Sequence, residues 1–493
     1  MNPVIELPAA EWRTALTGLG KIISRRSTLP VLEHLRITRS GHGAVTLQAT
    51  DLDATAVYQA EQPGPGEPCD FLVPYEPLNK LVKGSKEPVQ LTVEARDKVQ
   101  VRTCIGTSAM AQTLTTLPVA EYPPLPVVHG QSIPMDACFR DTFREALDCC
   151  SDEDSRHVIQ HVCLDTRPTD GHYVTATDGR HLYAANSFHF EFKAPVLIPD
   201  RPFLRWNKFL ESGTGQLTVQ PATKKEQPWL KFQSGPWTLL TKSTDAEFPN
   251  WKQVVPATDS SLTWVKLDTG AVATLLAGIP KLPGGDGSNR PVRLEVTRDR
   301  INVQARAKED AEWTHLTIEG AHITGRPISI SLNRDYLLKA LRFGLTTCEF
   351  IDALAPMVFS EGGRRLVVMP LRTESASTSA RPTPQPTEPS VPNPQPANNN
   401  PPVNEQPSPA QPQETHPMPK ETQTIPTETP TETSPVKAVI QHIDNIKESL
   451  KGVLRELNEA LDGLKQLEKE KRASDREMET VREKLREIQA VRI

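Results

Sequence analysis

Two hydrophobic patterns alternate along the first three-quarters of the chain. In segments such as VTLQATD, HVCLDT and VRLEV, apolar and polar residues alternate, as in strands with one buried face. In AAEWRTALTGLGKII, MDACFRDTFREALDCC and TGAVATLLAGI, apolar residues return every three or four positions, as in amphipathic helices. A second helix is predicted after a strand in PLNKLV, FLRWNKFL and SLNRDYLLKALRF. The pattern predicts an α+β fold in which helices pack on antiparallel sheet.

This part of the chain also repeats internally. Three markers recur in one order at nearly one spacing: Ala49-Thr50-Asp51 as Ala176-Thr177-Asp178, Phe71–Pro74 as Val196–Pro199, and Ala120–Pro123 as Ala246–Pro249. A fainter third copy has INVQARAKED where the ATD strand is expected. The spacing predicts three tandem units, each with two helices, over residues 1–127, 128–257 and 258–372.

The composition changes after Arg372. Residues 373–435 hold 17 of the 46 prolines and neither glycine nor aromatic residues, which is typical of a disordered linker. In residues 436–493 apolar residues return at alternating spacings of three and four, which predicts a coiled-coil helix. A single helix that docks back on the globular part is the alternative. We expect this extension to tether a second protein or to join assemblies; its partner is unknown.

Charge and cysteine content exclude several classes of protein. The net charge of −5 excludes a protein that coats nucleic acid through bulk positive charge. Seven scattered cysteines do not form a disulfide framework, and neither a signal-like start nor a long apolar run is present, so we expect a cytoplasmic protein with no membrane contact.

One group of residues is typical of a metal site only at first sight. It comprises Cys149, Cys150, His157, His161 and Cys163. HVIQHVCLDT alternates like a strand, which spreads these side chains over a long distance rather than gathering them around one ion. We expect no metal and no cofactor.

Four motifs resemble those of a known family. They are Ser27–Leu32 (STLPVL), Thr177–Leu182 (TDGRHL), Glu247–Pro249 (EFP) and Val367–Arg372 (VVMPLR). Their order and spacing resemble the bacterial sliding clamp, the DNA polymerase III beta subunit, over residues 1–372. The resemblance implies a homodimeric head-to-tail ring that encircles duplex DNA without sequence specificity. It also implies a processivity factor without catalysis of its own, which binds the replicative polymerase subunit, the clamp loader and other clamp-motif proteins.

The resemblance also implies two sets of binding residues. Basic residues on helices and adjacent turns are expected to face DNA: Arg25, Arg26, Lys80, Lys83, Arg140, Arg144, Arg201, Arg205, Lys208, Arg334, Lys339 and Arg342. A peptide pocket between the second and third units is expected from Ile159, Thr177, Gly179, Arg180, His181, Leu182, Pro249, Val254, Met369, Pro370, Leu371 and Arg372. Aliphatic and methionine side chains suit such a pocket because they accept apolar side chains of a partner. The order Arg180-His181 departs from the family, where His-Arg is common.

Ring closure is expected between the first unit of one protomer and the third unit of the other. Leu114 on one side and Ile279 and Leu282 on the other are the predicted dimer contacts. Two other classes remain open. One is a scaffold that keeps the fold, works through protein contacts and its coiled coil, and does not encircle DNA. The other is an enzyme on this fold, although no Ser/His/Asp or Cys/His arrangement supports it.

Overall fold

The computed structural model describes residues 3–24, 28–153, 155–211, 214–222, 227–257, 261–287, 289–308 and 310–372. The predicted linker and coiled coil lie outside the described residues, as do Arg25 and Arg26. No helix among the described residues is long and apolar enough to cross a membrane.

One order of elements occurs three times along the chain, in what we call the first, second and third units. The first unit contains β1 (Val4–Leu7), α1 (Ala9–Leu19), β2 (His34–Arg39), β3 (Val45–Thr50), β4 (Ala54–Gln59), β5 (Cys69–Pro74), α2 (Tyr75–Gly84), β6 (Val89–Ala95), β7 (Lys98–Ile105) and β8 (Ser108–Thr115). The second contains β9 (Gln131–Met135), α3 (Ala137–Leu147), β10 (His161–Asp165), β11 (His172–Thr177), β12 (His181–Phe188), β13 (Val196–Pro199), α4 (Asn207–Leu210), β14 (Gly215–Gln220), β15 (Trp229–Ser234) and β16 (Trp237–Lys242). The third contains β17 (Thr263–Leu267), α5 (Thr269–Gly278), β18 (Pro291–Val296), β19 (Ile301–Ala305), β20 (Thr314–Ile318), β21 (Ala321–Gly325), β22 (Ile328–Asn333), α6 (Arg334–Arg342), β23 (Thr347–Phe350), β24 (Met357–Glu361) and β25 (Arg364–Val368).

The structure departs from the predicted elements in three places. The second helix of the second unit is short, because α4 begins only at Asn207 and spans four residues. β21 is an additional strand that has no counterpart in the other two units. HVIQHVCLDT is not a continuous strand, since His157–Gln160 forms a 3-10 turn before β10.

The sheets continue from one unit into the next. β4 pairs with β16 in an eight-stranded sheet, which joins the first unit to the second. β12 pairs with β25 in a nine-stranded sheet, which joins the second unit to the third. The two remaining sheets have four strands, in the orders β1-β6-β7-β8 and β20-β19-β18-β22. Among the described residues, β8 and β20 therefore each have one open edge.

The helices pack their apolar sides on these sheets. α3 and α5 each begin at an aspartate whose carboxylate accepts a backbone N–H, at 2.7 Å in both cases, which satisfies one amide of the first turn. α1 buries Trp12, Leu16 and Leu19, and the indole Nε1–H of Trp12 donates to the Val89 carbonyl at 3.1 Å. One hydrophobic core runs through all three units.

Candidate functional site

A cavity of about 630 Å³ lies where the second unit meets the third, over the pairing of β12 with β25. Apolar side chains form most of its surface, and arginines stand at its rim. It is lined by Ser155, Arg156, His157, Val158, Ile159, Thr177, Gly179, Arg180, His181, Leu182, Pro249, Asn250, Trp251, Val254, Val367 and Met369. Val254 and Met369 are 47% and 45% exposed, which is unusual for large apolar residues and offers contact surface to a partner.

Most residues predicted for the pocket line this cavity, and three do not. Those that line it are Ile159, Thr177, Gly179, Arg180, His181, Leu182, Pro249, Val254 and Met369. Pro370, Leu371 and Arg372 lie outside its lining, because the chain turns away after Met369 and the Leu371 amide donates to the Ser331 carbonyl at 2.7 Å.

Sequence reasoning missed seven of the lining residues. The strand predicted for HVIQHVCLDT concealed His157 and Val158, which instead begin a 3-10 turn at one side of the cavity. Ser155 and Arg156 directly precede this turn and line the same side. Asn250 and Trp251 directly follow the predicted Pro249, and Val367 precedes the predicted Met369 by two residues. Val367 is the first residue of the VVMPLR motif, so the motif itself was the signal that would have included it.

The TDGRHL segment is a tight turn that shapes the cavity. The Asp178 carboxylate accepts from the backbone N–H groups of Arg180 and His181, both at 2.8 Å. The Thr177 hydroxyl accepts from the Gly179 amide at 3.0 Å. Gly179 has a φ of +86°, which side chains rarely adopt, and a Cβ there would lie 2.7 Å from the Arg156 guanidinium. The motif therefore encodes a backbone shape.

His181 connects this turn to α6 of the third unit. Its ring stacks on Tyr336 with centroids 4.3 Å apart, and the Tyr336 hydroxyl donates to Asp178 at 2.8 Å. Lys339 Nζ lies 3.1 Å from His181 Nε2, so this nitrogen acts as an acceptor and the imidazole is neutral. Burial lowers the pKa of His181 despite the nearby Asp178 carboxylate. For Asp178, burial favours the neutral acid, but His181 and the backbone amides outweigh it and lower its pKa.

Trp251 forms another part of the cavity lining and is 5% exposed. Its indole Nε1–H donates to the Asp165 carboxylate at 2.8 Å. Arg167 donates to both oxygens of the same carboxylate at 2.9 Å and to the Phe248 carbonyl at 3.0 Å. Burial favours the neutral acid at Asp165, but these hydrogen bonds prevail and lower its pKa. On its other side Trp251 contacts Tyr173 edge-on, with centroids 4.9 Å apart.

The residues predicted to face DNA fall into three groups. Lys80, Lys83, Lys208 and Arg342 are exposed. Others bind acidic side chains of the same chain: Arg144 lies 3.3 Å from Asp141, Arg201 lies 3.1 Å from Asp51, and Arg205 lies 2.6 Å from Asp200 and 3.3 Å from Asp148. Arg140 is half-buried, with its guanidinium 3.3 Å from the Met135 carbonyl, and Lys339 contacts His181 and the Asp148 carbonyl.

The prediction for Arg334 is wrong. Its residue is 3% exposed, and its guanidinium donates to the carbonyl of Leu282 at 2.7 Å and to those of Pro283 and Arg290. Because this guanidinium is buried and donates to backbone carbonyls of its own chain, it does not reach a phosphate and instead fastens the start of α6 to the loop before β18.

The predicted dimer contacts are wrong for a similar reason. Leu114, Ile279 and Leu282 are 5%, 0% and 7% exposed and belong to the hydrophobic core of the protomer. An apolar side chain that is already covered by its own protomer has almost no surface left for a partner. The open strand edges and the side chains beside them are the available surface.

Comparison with known proteins agrees with this architecture. Residues 11–126 match the family model of the DNA polymerase III beta subunit N-terminal domain. The beta sliding clamp of Pseudomonas putida is 24% identical over 370 residues, which cover 71% of this chain and 95% of that protein. That of Caulobacter vibrioides is 24% identical over 387 residues, which cover 73% and 96%. Residues 11–126 therefore belong to the DNA polymerase III beta subunit N-terminal domain family, and the chain as a whole is similar to beta sliding clamps over about 370–390 residues.

Solved structures of beta sliding clamps share the fold. The Caulobacter crescentus clamp superimposes with a TM-score of 0.64 at 22% identity over 76% of this chain and 99% of that chain. The Bacillus subtilis clamp gives a TM-score of 0.65 at 18% identity over 76% and 100%. By homology to these beta clamps the protein is a DNA sliding clamp of the DNA polymerase III type, a non-catalytic processivity factor.

Proposed function

We propose that two copies of this chain close head to tail into a ring around duplex DNA and hold the replicative polymerase and other partners at the cavity described above. The three units, residues 1–127, 128–257 and 258–372, are the domains of this ring. The observation that carries the proposal is that β8 of the first unit and β20 of the third unit are terminal strands of their four-stranded sheets and have no partner on one side among the described residues.

These two edges correspond to strands that pair at the internal junctions. β8 is the last strand of its unit, as are β16 and β25, and β20 holds the place of β4 and β12. At the internal junctions β4 pairs with β16 and β12 with β25, both antiparallel. Pairing of β20 with β8 of the partner subunit repeats the same joint, and a two-fold head-to-tail dimer makes it twice.

The internal junctions also predict the register of this joint. Ala56 pairs with Leu239, and Tyr183 pairs with Leu366. Thr314 holds the place of Tyr183, because it pairs with Ala305 as Tyr183 pairs with Ala176. Met110 holds the place of Leu239, since both stand four residues after a turn glycine. We therefore place Thr314 opposite Met110 of the partner subunit, and Trp313 opposite Ala111 of the partner subunit.

Mechanical enclosure explains how an acidic protein retains DNA. A closed ring needs little direct affinity, and many basic side chains of this chain are already bound to its own carboxylates. Lys80, Lys83, Lys208 and Arg342 are exposed and supply the phosphate contacts of the proposal. Such contacts carry no base specificity.

The cavity between the second and third units suits an extended peptide with apolar side chains. Ile159, Leu182 and Val367 offer aliphatic walls, while Arg156 and Arg180 stand at the rim, each 3.7 Å from Glu153. Sliding clamps of Bartonella birtlesii and Pseudomonas aeruginosa have been solved bound to griselimycin. We propose that griselimycin binds this chain in the cavity between the second and third units and therefore serves as a probe of that cavity.

Loading on circular DNA tests the proposal. The full chain, loaded by its clamp loader on a nicked circular duplex, is expected to stay bound at high salt and to leave when one cut linearises the circle. Retention after linearisation, or failure to stay on the circle, would favour the scaffold function without encirclement. Griselimycin binding by the wild-type chain and its loss in Leu182→Asp test the cavity separately.

A further inference from the structure

The Asp165–Arg167 pair lies beneath the cavity and is not part of its lining. The Asp165 residue is 1% exposed, and its carboxylate receives hydrogen bonds from the Arg167 guanidinium and the Trp251 indole. Arg167 also donates to the Phe248 carbonyl at 3.0 Å, in the EFP motif that leads to Trp251. The pair thus holds both the Trp251 ring and the backbone that carries it.

The first unit provides an internal comparison. Its strand β2 corresponds to β10, because His34 pairs with Pro74 as His161 pairs with Pro199. Counted along these strands, Thr38 stands in the place of Asp165 and Ser40 in that of Arg167. Counted from the recurring prolines Pro123 and Pro249, Leu125 stands in the place of Trp251. The first unit therefore lacks the buried ion pair, and its Leu125 is 44% exposed, whereas Trp251 is 5% exposed.

Burying an aspartate carboxylate is unfavourable unless charged or N–H donors surround it. The second unit meets this requirement with a bidentate guanidinium and an indole N–H, next to a cavity with extensive apolar lining. We propose that Asp165 and Arg167 are positioning residues that fix Trp251 as a preorganised wall of the peptide pocket. This inference rests on the proposed function of the cavity.

A double-mutant cycle in the full chain tests the inference, with griselimycin as the probe. Trp251→Phe keeps the aromatic bulk but removes the N–H donor, and Asp165→Asn removes the charge but keeps the shape. Each variant is expected to raise the dissociation constant about tenfold, the size expected for a hydrogen bond to a charged group. The double variant is expected to bind no more weakly than the single ones, because both substitutions act on the same contact, the charge-assisted hydrogen bond from the Trp251 indole to Asp165. Effects within twofold of wild type, or effects that multiply, overturn the proposal.

Asp70→Asn is the matched control. It disrupts a bidentate arginine–aspartate pair of the first unit, in which Arg36 donates to Asp70 at 2.9 and 2.7 Å, and it is expected to leave griselimycin binding unchanged. A loss of binding in this variant as large as that in Asp165→Asn would assign the effect to general destabilisation and would overturn the proposal.

Hydrogen exchange of the Trp251 indole N–H gives a second measurement that needs no ligand. The proton is expected to be protected in the wild-type chain and to exchange much faster in Asp165→Asn, while the core amides keep their protection. Unchanged indole protection overturns the positioning role. If wild-type protein does not bind griselimycin, the proposed pocket function fails, and the exchange result still decides whether Asp165 fixes Trp251.

Discussion

At the residue scale, Gly18 shows how closely the first and second units pack against each other. It lies on α1 of the first unit, and a Cβ at this position would lie 2.4 Å from Trp237 and 2.6 Å from Trp206 of the second unit. Both distances are too short for any real side chain. The residue is therefore required by packing, although it occurs in the middle of a predicted helix.

Gly18→Ala is expected to destabilise the protein. Helix propensity alone would favour alanine by about 1 kcal/mol, but overpacking against the two indoles costs about 1–3 kcal/mol, so we expect a net decrease in the free energy of unfolding. Denaturant unfolding measures the change. Gly84→Ala, where a Cβ would meet nothing within 4 Å, is the control and should not destabilise. Equal behaviour of the two variants would contradict the packing argument.

The buried histidines predict a pH dependence. Burial lowers the pKa of His181, and also that of His34 and His161, below the usual value of 6.5. The unfolded chain therefore binds more protons than the folded chain below about pH 6.5. Their contribution to stability is complete above that pH and is lost as the pH falls, by at most about 1.4 kcal/mol per pH unit for each histidine.

Denaturant unfolding between pH 7.5 and 5.5 checks this expectation. The free energy of unfolding of the wild-type chain should decrease toward pH 5.5, and His181→Gln should decrease less steeply. Asp178 remains ionised over this range because its pKa is lowered, so it adds no slope. Equal slopes for the two proteins would exclude a contribution from His181.

The sequence predicted residue types better than residue surroundings. The apolar character of Leu114, Ile279 and Leu282 is evident from the pattern, but periodicity does not distinguish burial in the protomer from burial against a partner. Arg334 shows the same limit for charge, since an arginine at a predicted helix start gives no sign of the carbonyls around it. The TDGRHL turn was found because its chemistry is local.

At the scale of elements, the threefold order of strands and helices was predictable because three short markers recur at nearly constant spacing. The pairing of β4 with β16 and of β12 with β25 was not, because it joins residues 179 to 187 positions apart and leaves no local pattern. The shortness of α4 was not predictable either: residues 202–205 form turns, and the helix begins only at Asn207, although α2 tolerates Pro77 at the position of Pro202.

Beside the open edge of β20, Trp313 is the strongest candidate for an anchor at the joint between subunits. The guanidiniums of Arg293 and Arg306 lie 4.3 and 4.8 Å from its ring and hold it in place before a partner arrives. Trp313→Ala is expected to weaken dimerisation at least tenfold, as measured by sedimentation at several concentrations. Trp264→Ala, a change at a 36% exposed tryptophan on β17, is the control. An unchanged dimer in Trp313→Ala would argue against the proposed register.

At the scale of the whole molecule, retention on DNA and direct binding to DNA are separate properties. Replacement of Lys80, Lys83 and Arg342 by glutamine is expected to leave retention on a closed circle unchanged. The same change should weaken binding to short linear duplexes and flatten its dependence on salt by about one unit of slope for each basic side chain replaced. Rapid dissociation of the variant from closed circles would mean that these charges, and not enclosure, retain the DNA.

The contact between the first and second units, where Gly18 packs against Trp206 and Trp237, influences how two copies of the chain assemble. Each contact between neighbouring units sets the angle between them. The sum of these angles decides whether β8 of one subunit and β20 of the other lie close enough to pair. A substitution at a contact between units can therefore prevent ring closure, or produce an open filament instead of a ring, although no residue of β8 or β20 has changed. A variant that fails to dimerise therefore does not prove that the substituted side chain lies at the interface between the subunits.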